Sequence, residues 1–84
     1  MIHANSLSAY QSIADLGDRQ RAVYDAFAIG SFTDRDVSQI LSREAYTIRP
    51  RISELIDAGL LVEVGSSTDP ITRRTVRICA RRDL

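Results

Sequence analysis

Eighty-four residues, 44% of them apolar, make one small domain that buries a modest core and leaves no room for a second. Eleven basic and eleven acidic residues cancel, which excludes the overall positive charge that by itself marks a nucleic-acid binder, so any electrostatic argument must be regional. A single cysteine cannot form an internal disulfide, no stretch approaches the roughly 18–20 apolar residues of a membrane span, and no basic-then-apolar leader opens the chain, so a soluble cytoplasmic protein is the expectation.

Residues 1–5 carry no pattern, and His3 reads as a tail residue because no second His or Cys lies near it in sequence. From Ser6 to Leu16, Leu7, Tyr10, Ile13, Ala14 and Leu16 recur at helical spacing, with Ser6 as N-cap and Gly17 as terminator. This predicts an N-terminal segment over 1–17 with a short leading helix, followed by a main domain over 18–84. Asp18 then reads as the N-cap of a helix from Arg19 to about Ile29, with Ala22, Val23, Ala26 and Phe27 inward and Gly30 as its stop. Ser31-Phe32 is too short for a strand of its own but can add an edge to a small sheet.

Thr33 caps the next predicted helix, Asp34 to Ser42, and Asp36 completes a Thr-x-x-Asp capping box. Val37, Ile40 and Leu41 are its expected buried side. The link Ser42–Tyr46 leads to a third core helix that starts near Thr47 as N-cap, carries Ile48, Ile52, Leu55 and Ile56 in one stripe, and stops at Gly59. With that start Pro50 falls in the first turn, where the N–H groups have no intrahelical acceptor. A start one full turn earlier would put it in the interior at about 3 kcal/mol.

After Gly59, Leu60–Val64 reads as a strand, Gly65–Pro70 as a turn and Thr75–Ala80 as the partner strand. Val76 and Ile78 point one way and Arg77 and Cys79 the other. Cys79 is therefore expected to act as a small hydrophobe near the sheet. Three helices followed by a ribbon give an α+β class, mostly α with a small β-hairpin wing, which is the ground plan of a winged helix-turn-helix preceded by a leading N-terminal helix.

Charge is unevenly spread along this plan. Residues 1–34 hold two Arg and four Asp, 35–59 hold four Arg and four acids, and 60–84 hold five Arg and three acids. All eleven basic residues are Arg, which suits bidentate contacts to phosphates, guanine edges or carboxylates, although a GC-rich genome favouring Arg codons gives the same bias.

The run Thr47-Ile48-Arg49-Pro50-Arg51-Ile52-Ser53-Glu54-Leu55-Ile56-Asp57-Ala58-Gly59-Leu60-Leu61-Val62 resembles the recognition-helix-to-wing segment of prokaryotic winged-helix regulators. Arg19–Tyr24 and the capped Thr33–Val37 are similar to the same superfamily, and more narrowly to the small stand-alone winged-helix proteins of phages and prophages. The likeness covers about residues 18–80. Two departures stand out: Ser42 occupies the place of the usual Gly after the second helix, which predicts a longer or differently shaped turn, and the third helix carries Glu54 and Asp57 outward, where phosphates are poor neighbours.

The resemblance implies a third helix in the DNA major groove with its N-terminal half toward base edges. Rotation of 100° per residue puts Tyr46, Thr47, Pro50, Ser53, Glu54 and Asp57 opposite the stripe, with Arg49 and Arg51 on the flanks. Tyr46, Thr47, Arg49, Arg51 and Ser53, together with Arg43 in the preceding link, are the expected contacts to bases or phosphates. Arg73 and Arg74 beside the hairpin turn are expected on an adjacent backbone or in the minor groove, with a charge-protected hairpin edge as the alternative. Arg81 and Arg82 read as a basic tail. Glu54 can accept from a cytosine, orient an Arg across one turn, or simply repel DNA.

The leading functional expectation is a sequence-specific double-stranded DNA-binding protein, a small transcriptional regulator of phage or prokaryotic origin acting as a homodimer. The leading helix then serves either as dimerisation element or as cover for the core. The rival is a winged-helix scaffold for protein–protein contact, such as a phage-encoded inhibitor of a host or defence complex, motivated by the zero net charge and the acids on the third helix. One terminal His, one Cys on a predicted strand and no glycine-rich phosphate loop leave no nucleophile, base and oxyanion group to assemble, so no enzyme activity, cofactor or metal site is expected.

Overall fold

A computed structural model of the chain describes residues 13–82. Among them run α1 (Asp18–Ala26), a 3-10 turn (Phe27–Ile29), α2 (Asp34–Leu41), α3 (Ala45–Asp57), β1 (Leu61–Thr68) and β2 (Thr75–Arg81). The class is α+β, three helices and then one antiparallel hairpin. Most of the predicted leading helix lies outside the described residues. Its end does not: Ile13 and Ala14 are helical, and Ile13 and Leu16 pack against the core.

α1 begins one residue before its expected start. Gly17, not Asp18, is the N-cap, and the Gln20 side chain accepts the Gly17 N–H at 3.1 Å. The helix proper ends at Ala26 rather than Ile29, the last three residues tightening into the 3-10 turn. Val23, Ala26 and Phe27 are buried as expected, and so is Tyr24, whose ring is covered at 3.9 Å by the Arg81 guanidinium. Arg81 is thus no tail residue: it closes β2 and pairs with Asp25 at 3.3 Å.

α2 carries the capping box read from its sequence, Thr33 Oγ1 accepting from the Asp36 N–H and Asp36 Oδ2 accepting from the Thr33 N–H. Its buried face differs. Val37 is fully buried, but Asp34 and Ser38 share that face and Ile40 is 45% exposed. Ile40 lies about 100° from the centre of the stripe formed by 34, 37, 38 and 41, so the polar pair excludes it.

Ser42 does the work of the missing glycine. It adopts φ 53°, ψ 46°, its N–H reaches the Gln39 carbonyl at 3.3 Å, and the Arg43 N–H reaches the Ser38 carbonyl at 2.9 Å. That is the bond pair of a left-handed helix stop, so the turn from α2 to α3 is short, three residues, and not the altered shape the departure suggested.

α3 starts at Ala45 with Glu44 as N-cap, three residues before the expected Thr47 cap. Thr47 is instead the third helical residue, and both its N–H (3.0 Å) and its hydroxyl (2.7 Å) donate to the Glu44 carbonyl, closing the first turn. Pro50 consequently sits inside the helix. The bond it cannot make is the one to the Tyr46 carbonyl, on the exposed side of the helix. Ile48, Ile52 and Leu55 are buried, with Ile56 packed at the edge of the core. Gly59, at φ 78°, ends the helix with a second left-handed stop, the Leu60 N–H bonding the Leu55 carbonyl at 2.9 Å.

The hairpin is longer than its sequence suggests. Gly65–Thr68, expected in the turn, pair with Thr75–Ile78, and the turn moves to Asp69–Arg74. A bulge at Val64 separates the pairs Glu63↔Cys79 and Gly65↔Ile78. Phe32 adds the expected third edge as one bridge to Cys79, with bonds of 2.9 Å in both directions. Cys79 is buried, and burial pushes its thiol pKa up, in keeping with a packing role. Among the described residues no helix is long and apolar enough to cross a membrane.

Candidate functional site

With Ile48, Ile52 and Leu55 turned inward, α3 leaves an outer rim and two flanks. Tyr46, Pro50, Ser53 and Asp57, spaced four, three and four residues apart, form the exposed rim. An aromatic ring, a pyrrolidine, a hydroxyl and a carboxylate thus follow one another along the helix. The rim itself carries no guanidinium.

The guanidiniums stand on either side. On the hairpin flank, Arg49 donates from Nε to Asp34 Oδ2 at the first turn of α2, and this bond together with the carboxylate's charge raises the Arg49 pKa. Its side chain remains half exposed. Arg77 reaches from β2 to donate to Ser53 Oγ at 2.9 Å. Asp34, Arg49, Ser53, Glu63, Ser66 and Arg77 line an open groove of about 600 Å³ between α3 and the hairpin, so two acids share this flank with its two arginines.

On the opposite flank, Arg51 turns toward α1. Its Nη2 donates to Glu54 Oε2 at 2.9 Å, while Gln20 Nε2 donates to Glu54 Oε1 at 2.9 Å. The Gln20 bond, more than the Arg51 contact, holds the Glu54 carboxyl below its ordinary pKa. Glu54 is therefore not a free outward acid: it is the post to which Arg51 is tied. Arg43 is exposed in the turn just ahead of α3, on the same flank as Thr47 and Arg51.

The hairpin tip is organised by one buried carboxylate. Asp69 is 2% exposed; its Oδ1 accepts the N–H groups of Ile71 (2.8 Å) and Thr72 (3.3 Å), and its Oδ2 accepts Arg35 Nε from α2 at 2.8 Å. The Arg35 bond is the main reason its pKa is lowered. The Asp69 backbone bonds Arg73 and Arg74 at 2.9 and 2.8 Å, and Arg73 takes φ 63°. Both arginine side chains are exposed at a tip docked against α2.

Of the eight residues expected to make contacts, Tyr46 and Ser53 lie on the rim, Arg49 on the hairpin flank, Arg43, Thr47 and Arg51 on the α1 flank, and Arg73 and Arg74 at the tip. Sequence reasoning missed Arg77, Arg35 and Asp69. For Arg77 a signal existed, since it shares a strand face with Cys79 two residues nearer the tip, where that face runs off the core and onto α3. For the Arg35–Asp69 pair, 34 residues apart, no local pattern existed. Among the described residues no three His, Cys, Asp or Glu side chains converge as a metal site.

Compared with models of known protein families and with the curated proteins, the chain matches none.

Proposed function

We propose that the protein is a winged helix-turn-helix that binds double-stranded DNA sequence-specifically, with α3 in the major groove and the hairpin as the wing. One observation carries the reading: an exposed helix rim is bracketed by guanidiniums on both flanks, Arg49 and Arg77 on one side and Arg43 and Arg51 on the other. A helix about 10–12 Å across fills a major groove about 12 Å wide, so its flanks face the two phosphate strands and its rim faces the base edges. Tyr46 and Ser53 then read bases, while the arginines of the flanks and of the tip, Arg73 and Arg74, grip phosphate.

This division of labour differs from an arginine-reading helix. It assigns discrimination to an aromatic ring and a hydroxyl, and affinity to charges that are themselves held in place by Asp34, Ser53 and Glu54. A reader of this size touches few base pairs, so a homodimer acting as a small regulator, of phage or other prokaryotic origin, supplies the remaining specificity.

Selection of binding sites from random duplexes tests the reading. On the selected site Tyr46→Ala is expected to lose about 1–3 kcal/mol while random-duplex binding changes little, whereas Arg74→Ala weakens both equally. Parallel losses for the two variants would remove Tyr46 as a base reader.

The exposure of Tyr46 (71%) favours a second reading, in which the rim of α3 seats a protein. No enriched duplex, together with retention of a defined host protein that Tyr46→Ala abolishes, would select it.

A further inference from the structure

Behind the turn that joins α2 to α3 lies a half-enclosed cavity of about 350 Å³, bounded by α1, the end of α2 and the first turns of α3. That volume falls in the range that takes a small organic molecule. Its floor is apolar, with Val23 and Ile48 buried and Ala22 and Leu41 half-buried. A floor of this kind offers nothing to an inorganic ion and favours a hydrocarbon body.

The walls have a different chemistry. Arg19, Arg43 and Arg51 line the cavity beside a single carboxylate, Glu44. Within the described residues the Arg19 and Arg43 side chains take part in no ion pair. Arg51 faces Glu54 with both its Nη2 and its Nε, each 2.9 Å from a carboxylate oxygen, so its charge is shared with that acid. Three guanidiniums set against Glu44 and the Glu54 bonded to Arg51 leave one positive charge uncompensated at the edge of an oily floor.

We propose that this cavity is a binding site for a small amphipathic monoanion, an aryl or branched acyl carboxylate, with its apolar body on Val23 and Ile48 and its carboxylate on the arginine wall. Guanidinium forks match carboxylate geometry, and the exposed Arg19 and Arg43 flank the half-buried Arg51 on this wall. The assignment does not rest on DNA binding, but it shares Arg43, Thr47 and Arg51 with the α1 flank. A backbone phosphate is thus a second source of negative charge at the same wall, and the test separates the two.

The test titrates the isolated protein with naphthoate, naphthylmethanol and inorganic phosphate, followed by calorimetry and by amide shifts. Naphthoate is expected to saturate, to move the amides of Ser42–Thr47, and to bind at least about tenfold tighter than either of the other two. Ala22→Leu, which fills the floor, is expected to abolish binding, and Arg43→Ala to weaken it several-fold. Thermal unfolding shows whether each variant is folded; should Ala22→Leu not fold, the exposed Arg43 variant carries the comparison. Equal affinity for the alcohol would remove the role of charge, equal affinity for phosphate would remove the role of the floor, and no saturable shift at millimolar naphthoate would remove the site.

Discussion

Two side chains carry more of the structure than their neighbours do. Leu55 is fully buried at the junction of the helices and the hairpin, so Leu55→Ala should cost about 2–5 kcal/mol in denaturant unfolding, through lost transfer energy plus the cavity left behind. A loss well under that range would mean the helical register is wrong. Asp69 makes a prediction in pH. Its folded pKa is depressed, chiefly by Arg35 and then by the Ile71 N–H, so its contribution to the tip is present above the ordinary aspartate value of about 3.9 and fades as pH falls through the lower folded value. Carboxyl NMR should therefore show Asp69 titrating below about 3.9, with the Ile71 and Thr72 amides losing exchange protection in the same acid step. Protection unchanged through that step, or retained in Asp69→Ala, would show that the tip holds itself without the carboxylate.

The turn between α2 and α3 rests on a strained residue. A non-glycine in the left-handed region costs about 1–2 kcal/mol, and glycine gives back part of this through its freedom in the unfolded chain, so Ser42→Gly should stabilise by about 0.5–1 kcal/mol in thermal unfolding. Destabilisation would mean that the Ser42 side chain makes a contact worth more than the strain. The elements legible in the sequence were those whose signals are local: the Thr33 capping box, the stripe of Ile48, Ile52 and Leu55, the stop at Gly59, and the bridge at Phe32. Where the reading slipped, the information was either mimicked or non-local. Thr47 looks like a cap because its hydroxyl does bond a backbone group, but that group is the Glu44 carbonyl rather than a helix N–H, and Glu44 itself makes no side-chain cap bond. Gly65–Thr68 looks like a turn because the outer hairpin covers no core and needs no alternation; only its pairing with Thr75–Ile78 makes it a strand.

At the scale of the whole molecule, zero net charge and a positively flanked helix are compatible because acids and arginines are sorted by position. Asp34, Glu54 and Asp69 each hold an arginine in place, Arg49, Arg51 and Arg35 respectively, and so are occupied within the fold. The flanks of α3 and the tip keep half-exposed or exposed guanidiniums that a count over the chain cancels out of sight. The candidate site was legible to the same degree as the fold: the residues on α3 and the two tip arginines follow from helical rotation and hairpin logic, while Arg77 and the Asp69 anchor depend on tertiary contacts. The central claim is that this arginine-bracketed rim engages duplex DNA. It is tested most directly by measuring affinity for a selected duplex and for a random one as salt is raised. The account predicts tighter binding to the selected duplex and, for both, a linear fall of log K with log salt at a slope of about −4 to −5, equivalent to roughly four to six phosphate contacts. Absence of binding to either duplex at low salt and micromolar protein would contradict it.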